Sequence, residues 1–436
     1  MATTMAEIGQ RPPISEALRR VADSWSRNLP GEALRRIAGP CLLNTLETTT
    51  FWQADGTSYV ITGDIPALWL RDSSAQVETY LRWAGTDPVL QRTIRGLILM
   101  QAKLILQDPY ANAFNHGPIR HEQFPDDQTD YKSPWMFERK YEIDSLCYPI
   151  RLLWRYLSAT GDTKVCTPEV RAALDTIRAT WRREQQHSAN SGYFFRRMKA
   201  PPTDTLSHDG RGAPVVPTGM TWSGFRPSDD ACTYGYLVPS NQFAVVVLNY
   251  MAQIYERVWH DVTAAEESRA LRDDIDAGIR QYGIVDHPGC GRIFAYETDG
   301  NGAYNLMDDA NCPSLLAAPY LGYCRADDPV YQNTRRFVLS SDNPFYHVGT
   351  VARGIGSPHT APGTVWHLSL IMQGLTATDP AERHACLEMC LATDAGTGFM
   401  HESFNPSDPT QFSRPWFAWA NTLFAELVLQ TYGPLI

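Results

Sequence analysis

The sequence predicts an all-α fold, a toroid of helical hairpins of the (α/α) barrel type. Apolar residues recur at i, i+3 and i+4 spacing along the whole chain, while strand-like pieces are short and paired. The helices are separated by long loops rich in Pro, Gly, Asp and aromatic residues. Because long loops in compact domains usually carry function, we expect them to gather at one end of the barrel around a pocket. A plain helical bundle or an α-solenoid competes with this fold, although a solenoid usually has a detectable repeat period.

The helical pattern occupies seven segments, residues 14–29, 87–107, 169–187, 241–262, 264–283, 364–377 and 415–433. Strand-like pieces span residues 57–65, 192–198 and 292–307, and the "TDGNG" within the last of them indicates a turn. A chain of 436 residues suggests two or three domains by length alone. No linker-like segment divides it, so we expect one domain over residues 1–436, with residues 1–50 as a less diagnostic N-terminal helical segment.

Composition argues against several classes of partner. The formal net charge is −10 and the basic residues are scattered, so we expect no nucleic-acid partner. The N-terminus lacks the apolar core of a signal peptide, and no stretch has the apolar length of a membrane span. We therefore expect a cytoplasmic protein without a membrane partner. The nine cysteines form no CxxC and no His/Cys pattern with zinc-ligand spacing, which predicts reduced thiols. We also expect no metal and no cofactor.

Aromatic residues are abundant, with 12 Trp, 20 Tyr and 16 Phe, and many lie beside Gly, Pro, Asp or Asn. Sugars bind where aromatic faces adjoin polar groups, because the C–H face of a pyranose stacks on the ring while its hydroxyls need hydrogen bonds. Burial of aromatic side chains in a large core is the competing explanation.

The first informative loop, "TGDIPALWLRDSSAQVETYL", holds Asp64, Trp69, Arg71 and Asp72. An Arg–Asp pair beside Trp can fix sugar hydroxyls through charge-assisted hydrogen bonds. The competing interpretation is a structural ion pair followed by a helix cap at Asp72 or Ser73.

Two further loops place carboxylates at predicted helix starts, where the helix dipole and capping favour acidic residues for structural reasons alone. They hold Glu138, Glu142 and Asp144 in "FERKYEIDSLCYPIRLLW", and Asp308, Asp309 and Asn311 in "NLMDDANCPSLLAAPYLGY". Two adjacent aspartates exceed what one helix cap requires.

The loop "ARGIGSPHTAPGTVWH" predicts a rigid turn that can direct His359 and Thr360 inward. The absence of a lysine and of a preceding strand excludes a phosphate-binding glycine loop there. The last loop, "GFMHESFNPSDPTQFSRPWFAWANTLF", contains Glu402, which no helix cap explains.

Two carboxyl groups from distant loops suit glycoside hydrolysis, in which one protonates the leaving oxygen and the other activates water or attacks the anomeric carbon. The segment "TWSGFRPSDDACTYGYLVPSN" supplies Asp229 and Asp230, and the last loop supplies Glu402. In a closed toroid these groups can face each other across one pocket.

Taken together, the motifs resemble glycoside hydrolase family 125. They lie between Asp64 and Phe424 in the expected order, and they are "TGDIPALWLRDSSAQV", "ERKYEIDSLCYPI", "GMTWSGFRPSDDACTYGYLVPSNQFA", "DDANCPSLL", "GIGSPHTAPG" and "HESFNPSDPTQFSRPWFAWANTLF". The resemblance implies an (α/α)6 barrel and a metal-independent, inverting, exo-acting α-mannosidase that prefers α-1,6 linkages in an α-mannoside substrate.

The resemblance also implies the site residues. The family's general base, the glutamate of "HESF", corresponds to Glu402, and its general acid is an aspartate of "RPSDDA". We favour Asp229 over Asp230 because Asp230 leads into "ACTYGYL", which we expect to be helical with Asp230 as its cap. The expected substrate contacts and aromatic walls are Arg71, Asp72, Asp144, Asp309, His359, Trp69, Trp222, Tyr234 and Trp416.

Two other functions remain open at this point. One is a different carbohydrate enzyme on an (α/α) barrel, such as a glucoamylase-like hydrolase or a sugar epimerase. An epimerase relies on histidines as acid and base, and the 11 His here form no obvious pair. The other is a catalytically silent glycan-binding protein, which the intact acid and base positions argue against.

Overall fold

The computed structural model describes residues 8–435, so residues 1–7 of the predicted N-terminal segment lie outside the described part. The chain forms an (α/α)6 toroid, as predicted. Six inner helices form a ring. The first four pack on one another in succession, the fifth packs on the sixth, and the sixth closes the ring by packing on the first. In chain order the inner helices are Leu70–Glu78, Ile143–Thr160, Val238–Val258, Ala318–Leu321, His367–Leu375 and Ala418–Tyr432.

A second set of helices surrounds this ring. Several of them begin with Pro after an Asp or Thr whose side chain accepts backbone N–H groups, the sequence signal that best fixes a helix start. The outer helices are Glu32–Asn44, Pro88–Gln107, Pro168–Glu184, Val262–Tyr282, Pro329–Val338 and Pro380–Ala392, and Glu16–Asn28 packs on the first of these. Shorter helical pieces are Thr45–Thr49, Leu81–Ala84, Thr163–Val165, His187–Asn190, Pro202–Asp204 and Ser207–Gly210.

Three antiparallel three-stranded sheets lie at the end of the toroid where the inner helices begin. In each sheet one strand runs directly into an inner helix, so the sheet fixes the position of that helix's first turn. The sheets are Leu68–Trp69 with Ala113–Phe114 and Met136–Glu138, Tyr236–Leu237 with Glu297–Thr298 and Tyr304–Asn305, and Val365–Trp366 with Ser403–Phe404 and Phe412–Ser413.

The remaining strands form two-stranded pairs. They are Thr50–Trp52 with Ser58–Val60, Gln128–Thr129 with Phe195–Arg196, Ile284–His287 with Gly291–Phe294, and Tyr346–Val348 with Arg353–Ile355. The predicted strand-like segments all contain strands, and the "TDGNG" turn joins Glu297–Thr298 to Tyr304–Asn305. No helix within residues 8–435 combines the length and apolarity needed to cross a bilayer.

Two local predictions are wrong. The segment "ACTYGYL" after Asp230 is not helical, because Ala231 forms a bridge with Phe225 and the chain then enters the strand Tyr236–Leu237. Asp230 therefore caps no helix. Asp72 and Ser73 are not caps either, because their helix begins two residues earlier at Leu70 and Asp72 lies inside its first turn.

Candidate active site

A cavity of about 560 Å³ opens at the end of the toroid where the inner helices begin. Its wall includes Trp69, Trp366 and Phe417, each of which directly precedes an inner helix. Charged groups cover much of the remaining wall, and they are Arg71, Asp72, Glu138, Lys140, Arg197, Asp204, Asp229, Asp230, His359, Glu402 and Arg414. A pocket with so many paired charges suits a neutral ligand with many hydroxyl groups.

Arg71 is the centre of the charged cluster. Its Nη1 lies 2.5 Å from Glu142 Oε2 and 3.1 Å from Asp144 Oδ2, and its Nη2 lies 3.2 Å from Asp229 Oδ1. Its Nε lies 3.4 Å from Asp72 Oδ2. Since one buried guanidinium cannot neutralise four carboxylates, the cluster must retain protons at neutral pH.

The pKa values within the cluster diverge. Burial raises the pKa of Glu142 well above its usual range. The charge of Arg71 opposes this increase, and the negative charge of Asp229 adds to it. Burial acts in the same direction on Asp229, but Arg71, a hydrogen bond from Glu142 and the ammonium of Lys140 together hold the pKa of Asp229 below its usual range. Glu142 and Asp229 therefore titrate as a pair, and the opposite directions of their pKa shifts favour a shared proton on the Glu142 side in the free protein.

Burial also raises the pKa values of two other carboxyls around Arg71. Burial raises the pKa of Asp72 to about 6, with Arg71 opposing the shift. Burial likewise raises the pKa of Asp144, against Arg71 and a hydrogen bond from Ser240. Asp144 does not line the cavity and acts on it only by holding Arg71.

Asp229 lies in a tight turn with a left-handed backbone, φ 67°, which is unusual for a residue other than glycine. The Lys140 ammonium donates to its carbonyl oxygen at 2.8 Å, and Asn112 Nδ2 donates to its Oδ1 at 3.3 Å. Its side chain is 21% exposed, compared with 5% for that of Asp230. The turn thus directs Asp229 rather than Asp230 toward the open part of the cavity.

Asp230 faces His359 instead, with Oδ1 3.4 Å from Nδ1 of the imidazole. Burial opposes protonation of the ring, but the hydrogen bond to Asp230 and the charges of Asp230, Asp229 and Glu402 raise the pKa of His359 to about 9. His359 is therefore a cation at neutral pH. The other oxygen of Asp230, Oδ2, is buried and has no hydrogen-bond partner within residues 8–435.

Glu402 directly precedes the strand Ser403–Phe404. Ser413 Oγ donates to its Oε2 at 3.1 Å, and Arg414 Nη1 donates to its Oε1 at 3.2 Å. Arg414 also forms an ion pair with Asp64 at 2.8 Å, which ties the last loop to the first. Both hydrogen bonds are donated to Glu402, and together they fix the orientation of its carboxyl group at the cavity wall.

Other predicted substrate contacts lie behind the cavity wall. Asp309 is buried and accepts a hydrogen bond at 2.8 Å from Ser228, which lines the cavity. Trp222 is in the core, stacked on His187 at 3.6 Å between ring centroids. The backbone of Tyr234 donates to Glu297, and the ring of Trp416 lies beside Gly63. Of the predicted aromatic walls, Trp69 alone lines the cavity.

A strap formed by residues 115–135 and 195–205 closes one side of the cavity, and none of the sequence motifs predicts it. Its two parts are joined where Gln128–Thr129 pairs with Phe195–Arg196. Arg197 holds the strap through Asp127 at 2.7 Å and Glu138 at 2.8 Å, and its guanidinium lies 3.7 Å from the ring centre of Phe124. Phe124 is 40% exposed and lines the cavity. The cluster of three aspartates in "FPDDQTDYK" was the only signal for this strap in the sequence.

Comparisons with known proteins show similarity over nearly the whole chain. The sequence profile of glycoside hydrolase family 125, described as metal-independent alpha-mannosidase, matches residues 31–429. The meiotically up-regulated gene 157 protein of Schizosaccharomyces pombe is 40% identical over 435 residues, which cover 95% of this chain and 85% of the yeast protein.

Among solved structures, a metal-independent alpha mannosidase of Streptococcus pneumoniae, in a non-productive complex with alpha-1,6-mannobiose, superposes with a TM-score of 0.92. It is 46% identical, and the match covers 95% of this chain and 97% of that one. A glycosidase at 14% identity superposes with a TM-score of 0.59 over 96% of this chain and 98% of its own, a likeness of fold alone.

Proposed function

The chain belongs to glycoside hydrolase family 125, the metal-independent α-mannosidases, and from this premise we propose that it releases terminal α-1,6-linked mannose from the non-reducing end with inversion at the anomeric carbon. One observation carries the proposal. Asp229 and Glu402, from loops 173 positions apart, line the same cavity, the first beside the buried carboxyl of Glu142 and the second held by hydrogen-bond donors.

In the proposed reaction Glu402 is the general base. It removes a proton from a water molecule, whose oxygen forms a bond to the anomeric carbon while the bond from that carbon to the glycosidic oxygen breaks. Asp229 gives its proton to the departing oxygen, so a free sugar and a shortened mannoside leave. An inverting enzyme needs about 6.5–9.5 Å between its two carboxyls to accommodate this water.

The assignment of Asp229 as general acid rests on access and on its partner. Its side chain is the more exposed of the two aspartates, whereas Asp230 is occupied with His359. Asp229 must be protonated before it can act, and Glu142 holds the proton for it. A sugar that fills the cavity removes water from the partly exposed Asp229 far more than from the fully buried Glu142. This desolvation favours transfer of the shared proton to Asp229.

The remaining predicted contacts act directly or through a neighbour. Arg71, Asp72 and His359 line the cavity and can bind mannose hydroxyls, with Trp69 as a wall. Asp144 and Asp309 position Arg71 and Ser228, respectively. Trp222, Tyr234 and Trp416 support loops around the site rather than the sugar itself.

The α-1,6 preference is supported by the mannobiose bound to the Streptococcus pneumoniae relative, and it requires its own test. A panel of α-1,2-, α-1,3-, α-1,4- and α-1,6-mannobiose, with maltose beside them, is scored for release of monosaccharide by the purified protein. We expect rapid mannose release from the α-1,6 disaccharide only. Rapid cleavage of maltose or of a different mannobiose would contradict the proposed specificity.

The variant Glu402→Gln keeps the side-chain shape. Its binding and its activity, compared with those of the native chain, distinguish an enzyme from a catalytically silent glycan-binding protein. We expect this variant to bind α-1,6-mannobiose in calorimetry but to lose at least about 100-fold in kcat. Ser407→Ala, in an exposed turn of the same loop, is the matched control and should retain full activity. Equal activity of Glu402→Gln and the native chain would overturn the assignment of the base.

A further inference from the structure

A second group of potential ligand atoms lies outside the cavity, on the hairpin of Ile284–His287 and Gly291–Phe294. His287 ends the first strand, Cys290 lies in the turn, and Asp342 lies in the segment after the helix Pro329–Val338. One nitrogen, sulfur or oxygen atom from each of the three residues lies within 4.8 Å of the others. We propose that His287, Cys290 and Asp342 bind a divalent transition-metal ion, with Zn²⁺ as the preferred ion.

The hairpin turn holds two of the ligands in fixed positions. His287 pairs with Gly291 across the ladder, and the Cys290 N–H donates to the His287 carbonyl at 3.3 Å. Gly291 has φ 79°, a left-handed conformation that closes the turn and that a side chain would strain. The imidazole packs against the buried ring of Phe337, with ring centroids 5.1 Å apart. His287 and Cys290 thus remain on the same side of a short, closed turn.

Asp342 is brought to this turn by the outer helix Pro329–Val338, which packs on the second strand of the hairpin. Asn333 Nδ2 donates to the Arg292 carbonyl at 3.0 Å, and Arg336 donates to the Cys290 carbonyl at 3.3 Å. Ser340 Oγ accepts the Asp342 N–H at 3.2 Å and fixes the turn that carries the carboxylate. These residues form no zinc-ligand pattern in the sequence, because the third ligand lies 52 positions after Cys290.

The donor set selects the metal. One imidazole nitrogen, one thiolate and one carboxylate oxygen are the ligand types that Zn²⁺ takes in tetrahedral sites, and three protein ligands leave the fourth position for water. The thiolate and the carboxylate carry two negative charges, which balance the ion. The Gly289 N–H now donates to His287 Nδ1 at 3.3 Å, so that nitrogen carries a lone pair directed into the turn, where a metal would replace the N–H.

The proposed metal site is separate from the cavity in which we place the hydrolysis. None of its three residues lines the catalytic cavity, and the hairpin packs against an outer helix of the toroid. A bound ion would join the hairpin to the turn after that helix, and so it would stabilise the fold without entering catalysis. This role is compatible with a family described as metal-independent.

Cobalt provides the direct test, because thiolate-bound Co²⁺ has a charge-transfer absorption that carboxylate or imidazole ligands alone do not give. The full chain, stripped with a chelator, is titrated with Co²⁺ and then with Zn²⁺. We expect one Co²⁺ per chain with a thiolate band that Zn²⁺ removes. Cys290→Ser should abolish the band, and Asp342→Asn should weaken binding by at least about tenfold.

Matched controls separate this site from non-specific thiol binding. Cys324→Ser removes another partly buried cysteine, and Asp327→Asn removes another exposed aspartate. Both variants should bind Co²⁺ as the native chain does. No thiolate band in the native chain, or an equal band in Cys290→Ser, would overturn the proposal.

A second readout tests the role assigned to the ion. Zn²⁺ in large excess over its Kd should raise the Tm of the native chain but not that of Cys290→Ser. Hydrolysis of α-1,6-mannobiose at 25 °C should proceed at the same rate with Zn²⁺ and with chelator. A rate that falls on chelation and returns with Zn²⁺ would contradict a site separate from catalysis.

Discussion

Nη1 of Arg71 lies 2.5 Å from Oε2 of Glu142, the shortest of the four ion-pair contacts of this guanidinium, and both side chains are almost completely buried. The contact links the first inner helix to the N-terminus of the second, 71 positions apart. It also places Glu142 beside Asp229, whose pKa is held low while that of Glu142 is raised. The charge balance around Arg71 therefore governs where the proton shared by Glu142 and Asp229 resides.

The general acid can be identified with substrates that differ in their leaving group. Asp229→Asn should lower kcat/KM on α-1,6-mannobiose by at least about 100-fold but have a much smaller effect on dinitrophenyl α-mannoside, whose leaving group needs no proton. Asp230→Asn should lose activity on both substrates to a similar extent, because it disturbs His359 rather than proton donation. If Asp230→Asn alone spares the activated substrate, Asp230 is the acid.

Glu142 is predicted to act as a positioning residue that holds the proton for Asp229. In Glu142→Gln the shared proton is lost, so Asp229 should stay ionised at a lower pH and the basic limb of the kcat profile should move to lower pH. Profiles between pH 4 and 9 measure this shift. Ser145→Ala, which removes only the 2.7 Å hydrogen bond to Glu142, is the control. A uniform fall in kcat with an unchanged profile would mean a merely structural role.

Arg71→Met should destabilise the fold in a pH-dependent way. Without the guanidinium, the four carboxyls lose their counter-charge and their pKa values in the folded state rise. Groups whose pKa is raised on folding bind more protons when folded, so their effect on stability becomes less favourable as pH increases. We expect a loss of about 3–5 kcal/mol at pH 7.5 and a smaller loss at pH 5, from urea unfolding at both pH values. An equal loss at the two pH values would contradict a cluster held by Arg71.

His359 should titrate near pH 9 because it faces Asp230. Its raised pKa stabilises the fold fully below pH of about 6.5, the value for an unfolded histidine, and the contribution is lost as pH rises through about 9. NMR titration of the imidazole in Asp230→Asn should show a clearly lower pKa than in the native chain. The same pKa in both proteins would mean that Asp230 is not the cause.

The sequence predicted the fold through features that are local. Helical periodicity and Asp-Pro or Thr-Pro starts mark helices such as Pro88–Gln107 and Pro168–Glu184 within a few residues. The long motifs predicted Arg71, Asp72 and Glu402 as site residues, and the structure places all three in the cavity wall. These signals depend on neighbours in the chain.

Side-chain contacts between distant segments could not be predicted from the sequence. The contact of Glu142 with Asp229 and the reach of Lys140 to the same turn depend on how the inner helices meet in the ring. Trp222 shows the same limit, because its motif suggested a sugar platform while stacking on His187 places it in the core. The helix predicted after Asp230 does not form, because the β-bridge between Phe225 and Ala231 overrides the local helical pattern.

Inversion at the anomeric carbon tests the central claim most directly, because it requires Glu402 to activate water rather than to attack the sugar. Proton NMR is recorded in the first minutes after enzyme addition to the methyl α-glycoside of α-1,6-mannobiose, whose second product is methyl α-mannoside. Because that product has a fixed anomeric centre, the only free mannose comes from the non-reducing end, and its two anomers are distinguished before they equilibrate. The account predicts that β-mannose accumulates first and that α-mannose follows by mutarotation. Early accumulation of α-mannose would contradict it.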